Sequence, residues 1–129
     1  MNVPGNLKYT ESNEWVNQDG KTGTIGISDY AQDQLSDIVF AEVIVNEGDV
    51  VNKGDTIATV ESVKAAADVY APVSGKVANV NEGLASTPEL INQDPYGAAW
   101  IIKLELSNPA ELEALMDAAA YNKFVQEQK

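Results

Sequence analysis

The sequence predicts a mainly β chain built of two similar halves, with a short helix near residues 29–35 and further helix after Pro109. Three observations carry this prediction. The middle of the chain is a series of short runs rich in β-branched residues, each bounded by Asn, Asp and Gly. Residues 100–106 alternate, with Ile102, Leu104 and Leu106 on one face and Lys103 and Glu105 on the other. Val45-Asn46-Glu47-Gly48 recurs as Val80-Asn81-Glu82-Gly83, each copy after a strand-like run, and the echo points to two halves related by an approximate two-fold.

Taken in order, Thr24-Ile25-Gly26-Ile27 reads as a strand. Ser28 then stands where an N-cap belongs, opening a helix over 29–35 with Asp29 in its first turn. Ile38-Val39-Phe40 begins a β run that continues through Val43 and Val45. Residues 46–49 and 52–55, Asn-Glu-Gly-Asp and Asn-Lys-Gly-Asp, are turn signals. Strands are expected over 56–61, 68–71 and 76–80, with turns at Ser74-Gly75 and at residues 81–83. Thr87-Pro88 and Asp94-Pro95 are turn-forming residues before the 100–106 strand. Asn108 is the expected N-cap of a helix with Pro109 at its first position and Glu111 three residues past the cap. Leu112, Leu115 and Met116 form the apolar stripe of that helix, and Tyr121, Phe124 and Val125 repeat the spacing on a segment restarting at Asp117. The last few residues are expected to fray.

Composition narrows the function classes. A chain of 129 residues favours one domain over 1–129, with a core about 24–106 and a helical segment about 109–127. The net charge is −12 and arginine is absent, so nucleic acid and anionic membrane surfaces are disfavoured partners. No apolar run approaches the roughly 18 residues of a spanning helix, and the first residues do not read as a signal or transit peptide. With neither Cys nor His, no thiolate or imidazole metal site and no histidine-based triad can be assembled. Redox or group-transfer chemistry would have to come from a cofactor.

The informative stretch is residues 59–73, TVESVKAAADVYAPV. Two strand signals flank Glu61-Ser62-Val63-Lys64-Ala65-Ala66-Ala67, and pairing them as a hairpin places Lys64 at or near its tip. A cofactor-attachment lysine needs such a place, exposed to the modifying enzyme and held on a rigid element, with small neighbours leaving room. Spacing alone also allows a plain solvated charge.

Gly48-Asp49, Gly54-Asp55, Val60-Glu61-Ser62-Val63-Lys64-Ala65 and Ala71-Pro72-Val73-Ser74-Gly75-Lys76-Val77 together resemble the biotinyl/lipoyl carrier fold. Biotin carriers typically place Met on both sides of the lysine, where this chain has Val63 and Ala65. Lipoyl domains of 2-oxo acid dehydrogenases typically have Asp before it. Glu-Ser-Val-Lys-Ala is instead similar to the glycine cleavage H-protein family. That resemblance spans roughly residues 7–127, through Leu7-Lys8-Tyr9, Glu14-Trp15-Val16, residues 26–32 and 35–40, Leu90-Ile91-Asn92, Pro95-Tyr96-Gly97, residues 100–103, Leu115-Met116-Asp117 and Tyr121. Two departures stand out: Asn13 where members commonly have His before Glu-Trp, and no Pro after Phe40.

The resemblance implies a flattened β-barrel or sandwich, a barrel-sandwich hybrid, acting as a carrier and not as an enzyme. It implies lipoic acid joined to Lys64, with Glu61, Ser62, Val63 and Ala65 as the attachment motif and no catalytic or metal-binding residues of its own. It matches Ser12, Glu14 and Asp68 to a cleft that receives the loaded arm, where carboxylates suit an ammonium. Implied partners are a pyridoxal-phosphate glycine decarboxylase, a tetrahydrofolate-dependent aminomethyltransferase, dihydrolipoyl dehydrogenase and lipoate-attaching enzymes. The compartment would be the cytoplasm in a bacterium, or the mitochondrial matrix for a processed chain. The competing readings are a lipoate-relay carrier, a biotin carrier and an unmodified β-rich interaction module.

Overall fold

The structure, a computed structural model, describes residues 2–128. In chain order its elements are β1 (Lys8–Tyr9), β2 (Glu14–Asp19), β3 (Thr22–Ile27), α1 (Asp29–Leu35), β4 (Ile38–Val43), β5 (Val50–Val51), β6 (Thr56–Ser62), β7 (Ala66–Tyr70), β8 (Gly75–Val80), α2 (Gly83–Ser86), α3 (Leu90–Gln93), β9 (Ile102–Leu106), a 3-10 turn over Pro109–Ala114 and α4 (Ala118–Gln128). The strands form two sheets, one ordered β1-β2-β3-β9-β8-β5 and the other β4-β6-β7. Side chains of both meet in one buried cluster, Ile25, Val51, Val77 and Leu104 from the first with Ala41, Ala58, Val60 and Val69 from the second. This is the sandwich that the sequence predicts. Each large aliphatic side chain fully buried there contributes about 1.5–3 kcal/mol relative to solvent.

A second cluster closes one end. Trp15, Tyr9, Tyr30, Tyr121 and Val125 pack together, so α4 is sewn onto the amino-terminal strands. The Trp15 indole donates to the carbonyls of Ile27 and Pro95, both at 3.0 Å. A Cβ on Gly26, its cross-strand neighbour, would lie 2.6 Å from the indole ring, so only glycine fits there.

α1 begins as expected, with Ser28 Oγ accepting the Ala31 N–H at 3.2 Å. The helix after Asn108 is different. Only a 3-10 turn forms, and the Asn108 side chain makes no cap bond. Glu111 is captured by a distant partner instead, accepting the Ser74 N–H at 2.7 Å and its hydroxyl at 3.0 Å. The expected stripe breaks up accordingly. Leu112 is buried, Leu115 is extended, and Met116 pairs with Tyr9 as an isolated bridge. Helix resumes at Ala118 and persists to Gln128, beyond the expected fraying; Lys129 lies outside the described residues.

The internal echo does not correspond to equal backbone. Residues 45–48 enter a tight turn with Gly48 at φ +92°, whereas residues 80–83 run from β8 into α2. The closer structural repeat is Val45-Asn46-Glu47-Gly48-Asp49 with Val51-Asn52-Lys53-Gly54-Asp55. In both, the Asp carboxylate accepts the Asn N–H at 2.8 Å and the glycine takes a left-handed φ, +92° and +95°. α2 and α3, one turn each, lie among the turn signals at residues 81–83, Thr87-Pro88 and Asp94-Pro95, where no helix is expected.

Candidate functional site

β6 and β7 pair in antiparallel register, with Glu61 opposite Ala66, so Ser62-Val63-Lys64-Ala65 closes the hairpin and Val63-Lys64 is its central pair. Two-residue hairpin loops favour turns that need positive φ. Among the described non-glycine residues only Asn13 and Ser36 have it, so Val63 and Lys64 do not. Ser62 makes the tighter fit possible. Its Oγ accepts the N–H of Lys64 at 3.1 Å and of Ala65 at 2.9 Å, and its hydroxyl donates to the Ala65 carbonyl at 3.1 Å. One hydroxyl thus uses its single proton and both lone pairs. The Val63 N–H donates to the Asp37 carbonyl at 3.0 Å, pinning the tip to the α1–β4 connection.

The side chains beyond this frame face solvent. Lys64 is exposed, as are Glu61, Ala65 and Ala66, and Val63 is 70 % exposed. The Lys64 ammonium donates to the Gln34 carbonyl at 3.4 Å, so it lies across the last turn of α1. Backbone anchoring with an exposed amine is what an attachment site requires.

Gln34 also lines a cleft of about 180 Å³ between α1, the β1–β2 turn and β7. Its apolar walls are Ile27, Ala31, Leu35, Val60, Ala67 and Val69, and its polar lining is Ser12, Asn13, Glu14 and Asp68. The cleft therefore brings Ser12, Glu14 and Asp68 together, and Lys64 reaches one of its lining residues, Gln34, through the backbone carbonyl. Among the described residues no group of three or more Asp or Glu could hold a metal ion, and no helix is long and apolar enough to cross a membrane.

Glu14 and Asp68 differ in kind. Glu14 is 1 % exposed. Its Oε1 accepts the hydroxyls of Thr10 and Ser12, both at 2.6 Å, and its Oε2 accepts the Tyr70 N–H at 3.3 Å. None of these partners is a cation. The burial cost of this carboxylate is offset by neutral donors alone, and the residue lines the cleft. Asp68 is exposed, because burial alternates along β7 and places Ala66, Asp68 and Tyr70 outward while Ala67 and Val69 point inward. It borders the cleft as part of an edge strand.

Sequence reasoning missed Gln34, Ala31 and Leu35, whose place on the cleft depends on how α1 lies against β7. It also treated Asn13 only as a departure from a pattern. Asn13 has φ +74° and its Oδ1 accepts the Tyr121 hydroxyl at 2.8 Å. Tolerance of the left-handed region by Asn was the one local signal available.

The chain matches the family model described as "Glycine cleavage H-protein" over residues 7–128. It is 54 % identical to a glycine cleavage system H protein of Symbiobacterium thermophilum, over 98 % of this chain and 98 % of that one. Identity to the protein of the same description from Acidobacterium capsulatum is 56 %, over 99 % and 98 %. The crystal structure of a glycine cleavage system H protein from Mycobacterium marinum superposes with a TM-score of 0.84 at 29 % identity, covering 98 % of each chain.

Proposed function

The chain belongs to the glycine cleavage H-protein family, and from that premise we propose that it carries lipoic acid on Lys64 and moves the aminomethyl group of glycine between enzymes. It is a carrier subunit and not a catalyst. The observation that supports this most is an exposed, backbone-anchored Lys64 whose ammonium reaches the carbonyl of Gln34, a lining residue of a largely apolar cleft that also holds the buried Glu14 carboxylate.

The residues present fit the group. An aliphatic acyl chain suits walls of Ile27, Leu35, Val60 and Ala67, and a cationic end suits Glu14. When bound, lipoic acid supplies the sulfur chemistry that a chain without Cys lacks. Lys64 contributes its amine to the amide linkage and thereby loses its positive charge. The apolar walls exclude water from the cargo. Ser12 and Glu14 hold its ammonium, and the edge of β7 at Asp68 borders the cleft.

Proposed partners are the pyridoxal-phosphate glycine decarboxylase that loads the cargo, the tetrahydrofolate-dependent aminomethyltransferase that removes it, dihydrolipoyl dehydrogenase and a lipoate-attaching enzyme. The expected compartment is the cytoplasm if the source is bacterial. The test is glycine–bicarbonate exchange with purified glycine decarboxylase. Lipoylated protein should support exchange and Lys64→Arg should not. Acyl loading by a 2-oxo acid decarboxylase without aminomethyl loading overturns the assignment.

A further inference from the structure

α4 delivers Tyr121 into the interior, where it has no exposed surface. Its ring stacks on Tyr9 with centroids 4.5 Å apart and planes 7° from parallel. Its hydroxyl donates to Asn13 Oδ1 at 2.8 Å and lies 2.6 Å from Ser28 Oγ. A phenol has one proton, and a carbonyl oxygen only accepts. With the Tyr121 proton on Asn13, the Ser28 hydroxyl must donate to the Tyr121 oxygen. Ser28 Oγ then accepts the Ala31 N–H at 3.2 Å. The result is one directed chain, Ala31 to Ser28 to Tyr121 to Asn13, in which each bond polarises the next.

The two ends of this chain, Ala31 and Asn13, both line the cleft, one from α1 and the other from the β1–β2 turn. Ala31 belongs to α1, which also supplies Gln34 and Leu35. Asn13 lies between Ser12 and Glu14, and its carbonyl accepts the Ser28 N–H at 2.9 Å. Burial pushes the Tyr121 hydroxyl up to about 12, so it remains a donor through the neutral range.

We propose that Tyr121 is a positioning residue that sets the spacing of the cleft walls, with Asn13 as its receiver on the carboxylate side. The left-handed Asn13 is the strained part of this arrangement, and the phenol holds its side chain in place. The proposal rests on the reading that the cleft shelters the aminomethyl cargo.

The test compares full-length wild type with Tyr121→Phe, Asn13→Gly, their double variant, Glu14→Gln and Val125→Ala. Tyr121→Phe keeps the ring stack and deletes only the hydroxyl. Val125→Ala opens a cavity in the same buried cluster without touching the chain of hydroxyls. The first readout uses unlipoylated protein and amide hydrogen exchange. Ala31 and Tyr70, whose N–H groups donate to Ser28 and Glu14, should exchange about tenfold faster in Tyr121→Phe, the loss of one hydrogen bond, while Leu104 does not change. In Val125→Ala these two amides should keep their rate relative to Leu104. The second readout is formaldehyde and ammonia release from the loaded protein. Tyr121→Phe and Asn13→Gly should each speed release, and the double variant should be no faster than either, because both cut the same chain. Unchanged exchange at Ala31 and Tyr70 in Tyr121→Phe, or equal loosening in Val125→Ala, overturns the proposal. Loosened exchange with release sped by Glu14→Gln but not by Tyr121→Phe overturns it too. If neither variant speeds release, the sheltering reading fails while the positioning of the walls stands.

Discussion

The Glu14 carboxylate on β2 accepts the backbone N–H of Tyr70 on β7 at 3.3 Å, across 56 residues and between the two sheets. β7 is an edge strand, so this bond holds the returning half of the lysine hairpin against the sandwich. Glu14→Gln can keep its oxygen on the Tyr70 N–H only by turning its NH₂ toward the Thr10 and Ser12 hydroxyls, which must rotate to accept, so the charge-assisted bonds to the carboxylate are lost. We expect it to lower unfolding stability by about 1–3 kcal/mol in a urea titration, and Glu14→Ala by at least as much. Stability equal to wild type in both would mean that the buried network contributes nothing.

Asp68 provides the contrast. Its exposed side chain makes Asp68→Asn a surface change, expected within about 0.5 kcal/mol of wild type. Release of the aminomethyl cargo should speed up more in Glu14→Gln than in Asp68→Asn. A surface ion pair is worth only about 0–1 kcal/mol, whereas a sheltered one is worth more. The reverse order in a formaldehyde-release assay would shift the cargo site outward to the face of β7.

Ser62→Ala removes the acceptor shared by the Lys64 and Ala65 amides. The loss should cost about 0.5–1.5 kcal/mol and widen the tip. The expected outcome is slower lipoylation, read as a lower kcat/KM with a lipoate–protein ligase, because Lys64 is no longer presented in one geometry. Lys64→Arg, by contrast, should match wild type in stability.

Alkaline pH probes the aromatic end. Burial raises Tyr121 to about 12 from an ordinary 10.0, and burial raises Tyr9 and Tyr96 as well. Above pH 10 the unfolded chain releases these protons while the folded chain keeps them, so the folded state binds more protons and stability falls as pH rises. The contribution of Tyr121 is complete below pH 10 and lost as pH climbs to about 12. Circular dichroism followed alongside tyrosinate absorbance should show α4 and the amino-terminal strands failing together with late tyrosine ionisation. Tyr121→Phe should lessen the slope.

What could be read from the sequence was local. The β6–β7 hairpin and its lysine follow from alternation and small residues within fifteen positions, and Ser28 announces α1 through its own cap bond. Asn108 failed as a cap because Glu111 had a better partner in Ser74, 37 residues away. The polar lining of the cleft was reachable only through resemblance, since Ser12 and Glu14 meet β7 by tertiary packing. Tyr121 and Asn13, 108 residues apart, leave no mark in any pattern of spacing.

The central claim is that Lys64 carries the cofactor, and peptide mass mapping tests it most directly. The unmodified chain is incubated with a lipoate–protein ligase, lipoate and ATP, then digested and mapped. The account requires lipoate on Lys64 alone, and none on Lys64→Arg. Lipoate on Lys53 or Lys76, or biotin on Lys64 after incubation with a biotin ligase, would contradict it.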